Sequence, residues 1–254
     1  MKRFKIECVA CAARGVKITR EHFWPLWLVE LTRTGKTPVR WLPGHKVLPY
    51  STTVPLCGRC NGDFNIELEV PTQRIFNDIL AGRGLSANEA EIVVRWLWKF
   101  EGLQWRLDHP DNAYATNGVT LRDRVLRRID AMRSEIVLAV SLIDRIDDGF
   151  NDEPMGLDSV NASNAVFVAG VFSRIAVMSM MRVYGYALPS FTVIQMPTLG
   201  ASDADAKLYH PSTGFAVCTD AVVFMGLNAP QLARLHDRAF DEFERRRLAA
   251  ERLK

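Results

Sequence analysis

The sequence has few of the features that mark secreted or membrane proteins. Its 254 residues contain only five cysteines, too few for a chain held together mainly by disulfides. The basic residues at positions 1–5 precede a stretch that Glu7 and two cysteines interrupt, so we expect no signal-peptide core. The longest apolar run, residues 165–181, contains Ser173 and Arg174 and is at the lower length limit for a membrane span. We therefore expect a cytoplasmic protein with no membrane partner.

The chain also has little net charge, with a formal value of +3. Its 48% hydrophobic and 24% charged residues are typical of a globular protein and argue against disordered or fibrous classes. The charge is unevenly distributed: ten Lys or Arg against three Glu give +7 in residues 1–50, residues 51–100 carry −1, and the remainder carries −3. We expect a basic N-terminal module joined to a mildly acidic body.

The local sequence pattern changes near residue 84. Prolines and glycines recur through the first eighty residues, which predicts few long regular elements there. Two capping boxes follow, Ser86 with Glu89 and Thr120 with Asp123, and they precede apolar spacings that predict helices over 86–108 and 120–143. We assign residues 1–84 to a small module and 85–254 to a mostly helical domain with a few strands, which together make an α+β protein.

The rest of the body is less regular in pattern. The apolar run extended to 165–186 fits a buried helix or strand, and its length favours a helix. Residues 191–196 and 215–225 are rich in β-branched and aromatic side chains, which predicts strands. Pro230 at a first-turn position predicts a last helix over 231–253.

All six tryptophans fall before residue 106: Trp24, Trp27, Trp41, Trp96, Trp98 and Trp105. Aromatic side chains among basic residues can stack on unpaired bases, but packing is the commoner role. We expect Trp24 and Trp27 to pack the N-terminal module against the helix that contains Trp96.

Four cysteines form two pairs, Cys8-x2-Cys11 and Cys57-x2-Cys60, with 45 residues between them. Each pair turns two thiolates to one side of a tight turn, and two pairs complete a tetrahedral zinc site. Reduced structural cysteines are the alternative, and disulfides suit a cytosolic chain poorly. Four thiolates leave no open coordination position, so the zinc would be structural. Cys218 is isolated and is predicted to be a small buried apolar residue.

Between the two pairs lies the segment Ile18-Thr-Arg-Glu-His-Phe-Trp-Pro25, and Asn61 directly follows the second pair. This order of motifs resembles the zinc-stabilised HNH endonucleases, and among them the phage junction-resolving enzymes of the endonuclease VII type. The resemblance covers about the first 65 to 80 residues. It implies a ββα-metal fold, treble-clef-like in its zinc site.

The resemblance also implies roles for three residues. His22 would be the general base that takes a proton from the attacking water, a task that suits a neutral imidazole near physiological pH. Glu21 and Asn61 would hold a catalytic Mg²⁺ or Mn²⁺, with most of the coordination shell left to water and phosphate oxygens. The structural zinc would hold the two loops so that these residues meet at one phosphate.

The chain departs from the family pattern at three points. Glu21 stands where Asp is usual, and residues 51–53 are Ser-Thr-Thr where an Asn often orients the base. Gly62 and Asp63 follow the final asparagine of the motif, where a basic residue is common. Asp63 and Asn65 are alternative metal ligands.

Basic side chains of the module are the candidates for phosphate contacts, because backbone charge dominates nucleic-acid affinity. They are Arg3, Arg14, Lys17, Arg20 and Arg40. The sequence thus predicts a metal-dependent HNH-type endonuclease that acts on nucleic acid, with DNA favoured. The alternatives are a non-catalytic zinc-binding module that binds nucleic acid and a protein-interaction module. For residues 85–254, the alternatives are substrate specificity, homodimer formation and ligand sensing.

Overall fold

The computed structural model describes residues 7–42, 45–108, 120–126, 136–142, 155–162, 165–181 and 192–195. Its α-helices are α1 (Leu26–Thr32), α2 (Gly58–Phe64), α3 (Val70–Leu80), α4 (Ala87–Asp108) and α5 (Leu121–Leu126). Its strands are β1 (Ile18–His22), β2 (Val39–Leu42), β3 (His45–Val47), β4 (Thr53–Cys57), β5 (Ile136–Leu142), β6 (Met155–Ala162), β7 (Ala165–Phe172), β8 (Ile175–Met181) and β9 (Thr192–Gln195). The mixed helix and strand content confirms the predicted α+β class in this coarse form.

The N-terminal region is ββα-like. Strands β1 and β4 pair antiparallel, and α2 begins directly after β4. The register places Glu21 opposite Val54 and His22 opposite Thr53. Strands β2 and β3 form a separate antiparallel hairpin. The Glu21-His22 pair therefore lies at the end of a strand whose partner leads into the second cysteine pair.

The segment from α2 to α3 is longer and more regular than the proline and glycine pattern predicts. It is helical throughout, with a π-helical stretch, Asn65–Glu69, between the two α-helices. Pro71 lies in the first turn of α3. A proline lacks the N–H for the helical ladder and crowds the carbonyl four residues earlier, and a π-helical turn accommodates both effects.

Helix α4 confirms the helix predicted over 86–108. Ser86 N–H and Oγ donate to Glu89 Oε2 at 2.8 and 3.0 Å, and Glu89 N–H donates to Ser86 Oγ at 3.3 Å, as the capping box requires. Residues 93–104 are all buried. A helix buried on every side is surrounded by other elements, so α4 is the central helix of the described structure.

The aromatic core joins the N-terminal region to α4, as predicted for Trp24 and Trp27. Trp24 stacks on Phe100 with ring centroids 5.2 Å apart, and the rings of Trp27 and Trp96 are 5.8 Å apart. The ring of Phe172, in β7, also lies 5.2 Å from that of Trp96. The buried core therefore continues across residue 84, and the predicted domain boundary there stays a prediction.

The helix predicted over 120–143 agrees with α5 at Leu121–Leu126 but is wrong at Ile136–Leu142. Ile136–Leu142 is instead strand β5, which pairs antiparallel with β8 and β9 in a five-stranded sheet of order β6-β7-β8-β5-β9. The three- and four-residue apolar spacing was compatible with a helix, but long-range pairing decides the conformation of this short apolar stretch.

The helix favoured over 165–186 is also wrong across 165–181, the part of that segment that the structure describes. Strands β7 and β8 form a hairpin whose two-residue turn is Ser173 and Arg174, with Ser173 in the left-handed region at φ 56°. The strand predicted over 191–196 is confirmed as β9. Within the described residues beyond 84, five strands and two helices replace the mostly helical body. The strand predicted over 215–225, Cys218 within it, and the helix over 231–253 lie outside the described residues. None of the described helices is both long and apolar enough to cross a membrane.

Candidate metal centre and adjacent cleft

The four paired cysteines meet at one point. The sulfur atoms of Cys8, Cys11, Cys57 and Cys60 all lie within 4.8 Å of one another. Cys11 Sγ and Cys57 Sγ are 3.8 Å apart, close to the sulfur–sulfur distance of about 3.8 Å that tetrahedral Zn–S bonds of about 2.3 Å require. Among the described residues, this is the only group of three or more His, Cys, Asp or Glu side chains spaced to hold a metal. The cluster could hold a structural zinc ion.

The second cysteine pair is the first turn of α2. Cys57 is the N-cap residue, and its sulfur accepts a hydrogen bond from Cys60 N–H at 3.5 Å. This arrangement brings both sulfur atoms to the helix start. Backbone N–H groups and the positive end of the helix dipole stabilise thiolates there.

The first cysteine pair forms a tight turn that β4 holds in place. Ala12 N–H donates to Cys8 O at 2.8 Å, and Cys8 N–H donates to Ala13 O at 3.1 Å. Ala12 adopts a left-handed conformation with φ 57°. Val9 N–H donates to Pro55 O at 3.0 Å, so the turn is fixed against the strand that leads to Cys57.

The thiols influence one another because they are crowded. Hydrogen bonding with Cys60 lowers the pKa of Cys8 to about 4, and the same contact, together with burial, raises the pKa of Cys60. Burial raises the pKa of Cys11. A bound cation deprotonates coordinating thiols outright, so zinc would replace this sharing of protons by four metal–sulfur bonds.

Helix α5 supports the cluster from outside. Arg122 N–H donates to Ala10 O, inside the first cysteine turn, at 2.8 Å, and the Arg122 side chain forms an ion pair with Asp63 of α2. Asp63 raises the pKa of the Arg122 guanidinium. A capping box fixes the start of α5, since Thr120 Oγ1 donates to Asp123 Oδ2 at 2.8 Å. One short helix thus connects both cysteine turns.

The residues that the resemblance singles out line one cleft beside the cluster. Glu21 and His22, at the end of β1, and Asn61, in α2, all border a cleft of about 270 Å³. They are half-buried, as residues facing a partly open cleft would be. Positions about forty residues apart in the sequence are therefore brought together.

Two charged residues that sequence reasoning missed also line this cleft. Glu69 and Lys99 are 7% and 5% exposed and form a buried ion pair. Glu69 Oε2 also accepts hydrogen bonds from the indole N–H groups of Trp27 and Trp96, each at 3.0 Å. The Lys99 ammonium lies 5.0 Å from the centre of the Phe100 ring. The sequence does contain a sign that Lys99 is buried, because it falls three positions after Trp96 on the same face of the predicted helix.

The structure separates the two alternative ligands. Asn65 lines the cleft, whereas Asp63 does not and is paired with Arg122 and, at 3.8 Å, with Arg59. The hydroxyl groups of Ser51 and Thr52 donate to Leu48 O at 2.9 and 3.2 Å. Those two residues therefore stabilise a turn and do not contact His22 through these groups.

The predicted phosphate-binding residues are placed unevenly. Lys17 and Arg20 are exposed on or next to β1. Arg14 is exposed but forms an ion pair with Glu7 at 2.8 Å. Arg40 lies in β2, and only its backbone is described, whereas Arg3 lies outside the described residues.

Similarity to known proteins adds nothing to the assignment of this site. No protein-family model, curated protein or solved structure matches the chain.

Proposed function

We propose that the chain is a metal-dependent endonuclease of the HNH type, which hydrolyses phosphodiester bonds in nucleic acid, with DNA favoured. The observation that carries the proposal is that Glu21, His22 and Asn61 line one cleft beside a four-cysteine cluster. Glu21 and His22 lie in β1 and Asn61 lies in α2, and the order of β1, its partner strand β4 and α2 is that expected of a ββα-metal module.

The donor set in the cleft fits a hard divalent cation. A carboxylate from Glu21 and an amide oxygen from Asn61 are oxygen ligands of the kind that Mg²⁺ and Mn²⁺ prefer, and Asn65 offers a further amide oxygen. When bound, the ion would stabilise negative charge on the phosphate and on the departing oxygen. The cysteine cluster would have a separate, structural role, because sulfur ligands suit zinc.

The chain's own residues would then perform the proton chemistry. His22, as a neutral imidazole, takes a proton from a water molecule that attacks the phosphorus atom. Its backbone neighbour, Phe23, is fully buried and donates its N–H to Thr52 O at 2.8 Å, which fixes the end of β1. A base held on a fixed strand end can be positioned within the narrow range that catalysis needs.

A nuclease assay tests the proposal. Zinc-loaded protein is incubated with single-stranded, duplex and branched DNA in Mg²⁺ or Mn²⁺, and His22→Ala should lower the cleavage rate about 10²- to 10⁴-fold. Glu21→Gln and Asn61→Ala should raise the Mg²⁺ or Mn²⁺ concentration needed. Glu30→Gln and Asn77→Ala are matched controls, because both side chains are exposed and lie outside the cleft.

Two results would contradict the proposal. Wild-type protein that cleaves no DNA or RNA substrate with either metal would rule out the nuclease. Cleavage that persists in His22→Ala would place the chemistry elsewhere. Salt-sensitive binding without cleavage would instead support the non-catalytic nucleic-acid-binding alternative.

A further inference from the structure

An exposed aromatic ring stands next to His22. Tyr50 lies in a 3₁₀ turn, Pro49–Ser51, and keeps 47% of its surface exposed. Its ring centroid is 6.5 Å from that of His22, with the two rings at 81° to each other. The ring is therefore adjacent to the cleft in which the phosphate would bind, although Tyr50 itself was not singled out from the sequence.

The Tyr50 ring is held in place despite its exposure. The backbone of Gly35 approaches so closely that a Cβ added there would lie 2.5 Å from Tyr50 Cε2 and 3.0 Å from its hydroxyl oxygen. The turn is fixed by hydrogen bonds from Ser51 and Thr52 to Leu48 O. A ring that is already fixed loses little conformational entropy when it binds a ligand.

Two cationic residues lie close in the chain to Gly35, whose backbone approaches the ring. Arg33 and Lys36, on either side of Gly35, are both exposed, and neither has an ion-pair partner within the described part of the chain. Proteins that bind single-stranded nucleic acid combine exposed aromatic rings, which stack on bases, with cations that contact the phosphates. Tyr50 and the segment around Gly35 supply both kinds of residue.

We propose that Tyr50 stacks on an unpaired nucleobase next to the phosphate bound at His22. The substrate would then be single-stranded nucleic acid or an unpaired segment in place of continuous duplex, whose bases are already stacked on one another. This inference deepens the proposed function, because it assigns a substrate class to the same cleft. Tyr50 would be a positioning residue and would take no part in the proton chemistry.

The test uses full-length, zinc-loaded protein and a short oligonucleotide that contains one 2-aminopurine, without added Mg²⁺ or Mn²⁺. Stacking on a ring changes 2-aminopurine fluorescence, so wild type and Tyr50→Phe should both change the signal on the single strand. Tyr50→Ala should abolish the change and weaken single-strand binding about 5- to 150-fold, the usual effect of losing one base–aromatic stack. Duplex binding should change much less.

Gly35→Ala provides a second variant that leaves the tyrosine in place. The added methyl group must displace the ring, so part of the same loss is expected, whereas Gly62→Ala is the control because a Cβ there meets no atom within 4 Å. Zinc content of each variant reports whether it has folded. If Tyr50→Ala fails to fold, the stacking role is tested by comparing single-strand binding of Gly35→Ala with that of Gly62→Ala.

The outcomes separate the two proposals. Unchanged fluorescence and affinity in Tyr50→Ala and Gly35→Ala would overturn the stacking role, and so would an equal loss on duplex. Wild-type protein that binds the single strand through Tyr50 but cleaves nothing in Mg²⁺ or Mn²⁺ would support the stacking role and refute the nuclease.

Discussion

The four-cysteine cluster and the cleft beside it share β4 and α2, but their donor groups differ. The cluster has four sulfur atoms within 4.8 Å of one another, and three of its residues are buried. The cleft has a carboxylate, an imidazole and amides around about 270 Å³ of space, with a buried ion pair in its wall.

This difference in donor groups suits the cluster to a structural role and the cleft to the proposed chemistry. Four thiolates would complete the coordination of a zinc ion and leave no position for a substrate, so a zinc ion bound there would stabilise the fold. In the proposed function, the oxygen atoms of Glu21 and Asn61 would bind a cation in the cleft and leave the rest of its coordination shell to water and a phosphate group. The cluster therefore supports the cleft, since it holds β4 and α2, the elements that the two sites share.

Removing zinc should have the largest effect. Metal binding supplies on the order of 10 kcal/mol of folding free energy in small zinc domains, so chelation or Cys57→Ser should unfold the N-terminal region and the cleft with it. Metal analysis should fall from about one zinc per chain to none, and thermal unfolding should shift downwards. Cys218→Ser should keep the zinc. Metal-free protein that unfolds at the same temperature as zinc-loaded protein would contradict a stabilising role for the cluster.

Disrupting the ion pair in the cleft wall should have the next largest effect. Lys99→Met leaves the Glu69 carboxylate buried without its cation and should lower the free energy of unfolding by about 3–5 kcal/mol in urea titrations. Zinc content should not change. The double variant Glu69→Gln/Lys99→Met should recover part of the loss, because it leaves no isolated charge.

The control for the buried ion pair is the exposed ion pair between Arg14 and Glu7. Arg14→Ala removes the partner of Glu7 on the surface and should cost less than about 1 kcal/mol. Equal losses for Lys99→Met and Arg14→Ala would show that the cleft wall tolerates an isolated charge as readily as the solvent does.

A smaller effect should follow loss of the Arg122 side chain. It pairs with Asp63 beside Cys60, and removing such outer support typically lowers metal affinity at least about tenfold. Competition with a chromophoric zinc chelator measures this change in Arg122→Ala. Arg59→Ala is the control, because Arg59 also approaches Asp63 but is largely exposed. An equal effect in both variants would contradict a specific role for α5.

The smallest effect should be at the start of α4, away from both sites. Burial alone would raise the pKa of Glu89, but hydrogen bonds from Arg83 and Ser86 outweigh it and hold the pKa below its usual value. Glu89→Gln should therefore cost about 1 kcal/mol at neutral pH.

The sign of the pH dependence follows from that lowered pKa. A carboxylate with a lowered folded-state pKa contributes stability above its unfolded-state pKa and loses it as the pH falls through the folded-state value. The difference in unfolding free energy between wild type and Glu89→Gln should therefore vanish in acid. A difference that is constant with pH would rule out the charged form as its source.

Local chemistry in the sequence predicted the parts of the site that depend on near neighbours. The spacing of Cys8 with Cys11 and of Cys57 with Cys60 was enough for the cluster, because each pair occupies one turn. The capping boxes at Ser86 and Thr120 were likewise confirmed, since their hydrogen bonds span three residues.

Features that depend on distant partners could not be predicted. The residues of β5 fit helical spacing, and only pairing with β8 and β9 makes them a strand. In the run 165–181, Ser173 and Arg174 interrupt the apolar pattern, but only the pairing of β7 with β8 makes them a hairpin turn. Glu69 and Lys99 are thirty positions apart, and one sequence does not show that a carboxylate meets the lysine of a buried helix face.

The hydrogen bond from Arg122 to Ala10 has a consequence for synthesis. Its two partners are 112 positions apart in the chain, and the four cysteines are complete once Cys60 has been made. Because chains fold as they emerge from the ribosome, zinc can be captured well before α5 exists. The nascent chain would then carry a loaded but incompletely supported metal cluster while about sixty further residues are added, at a few seconds of translation. During that interval, competition from cellular chelators would be strongest.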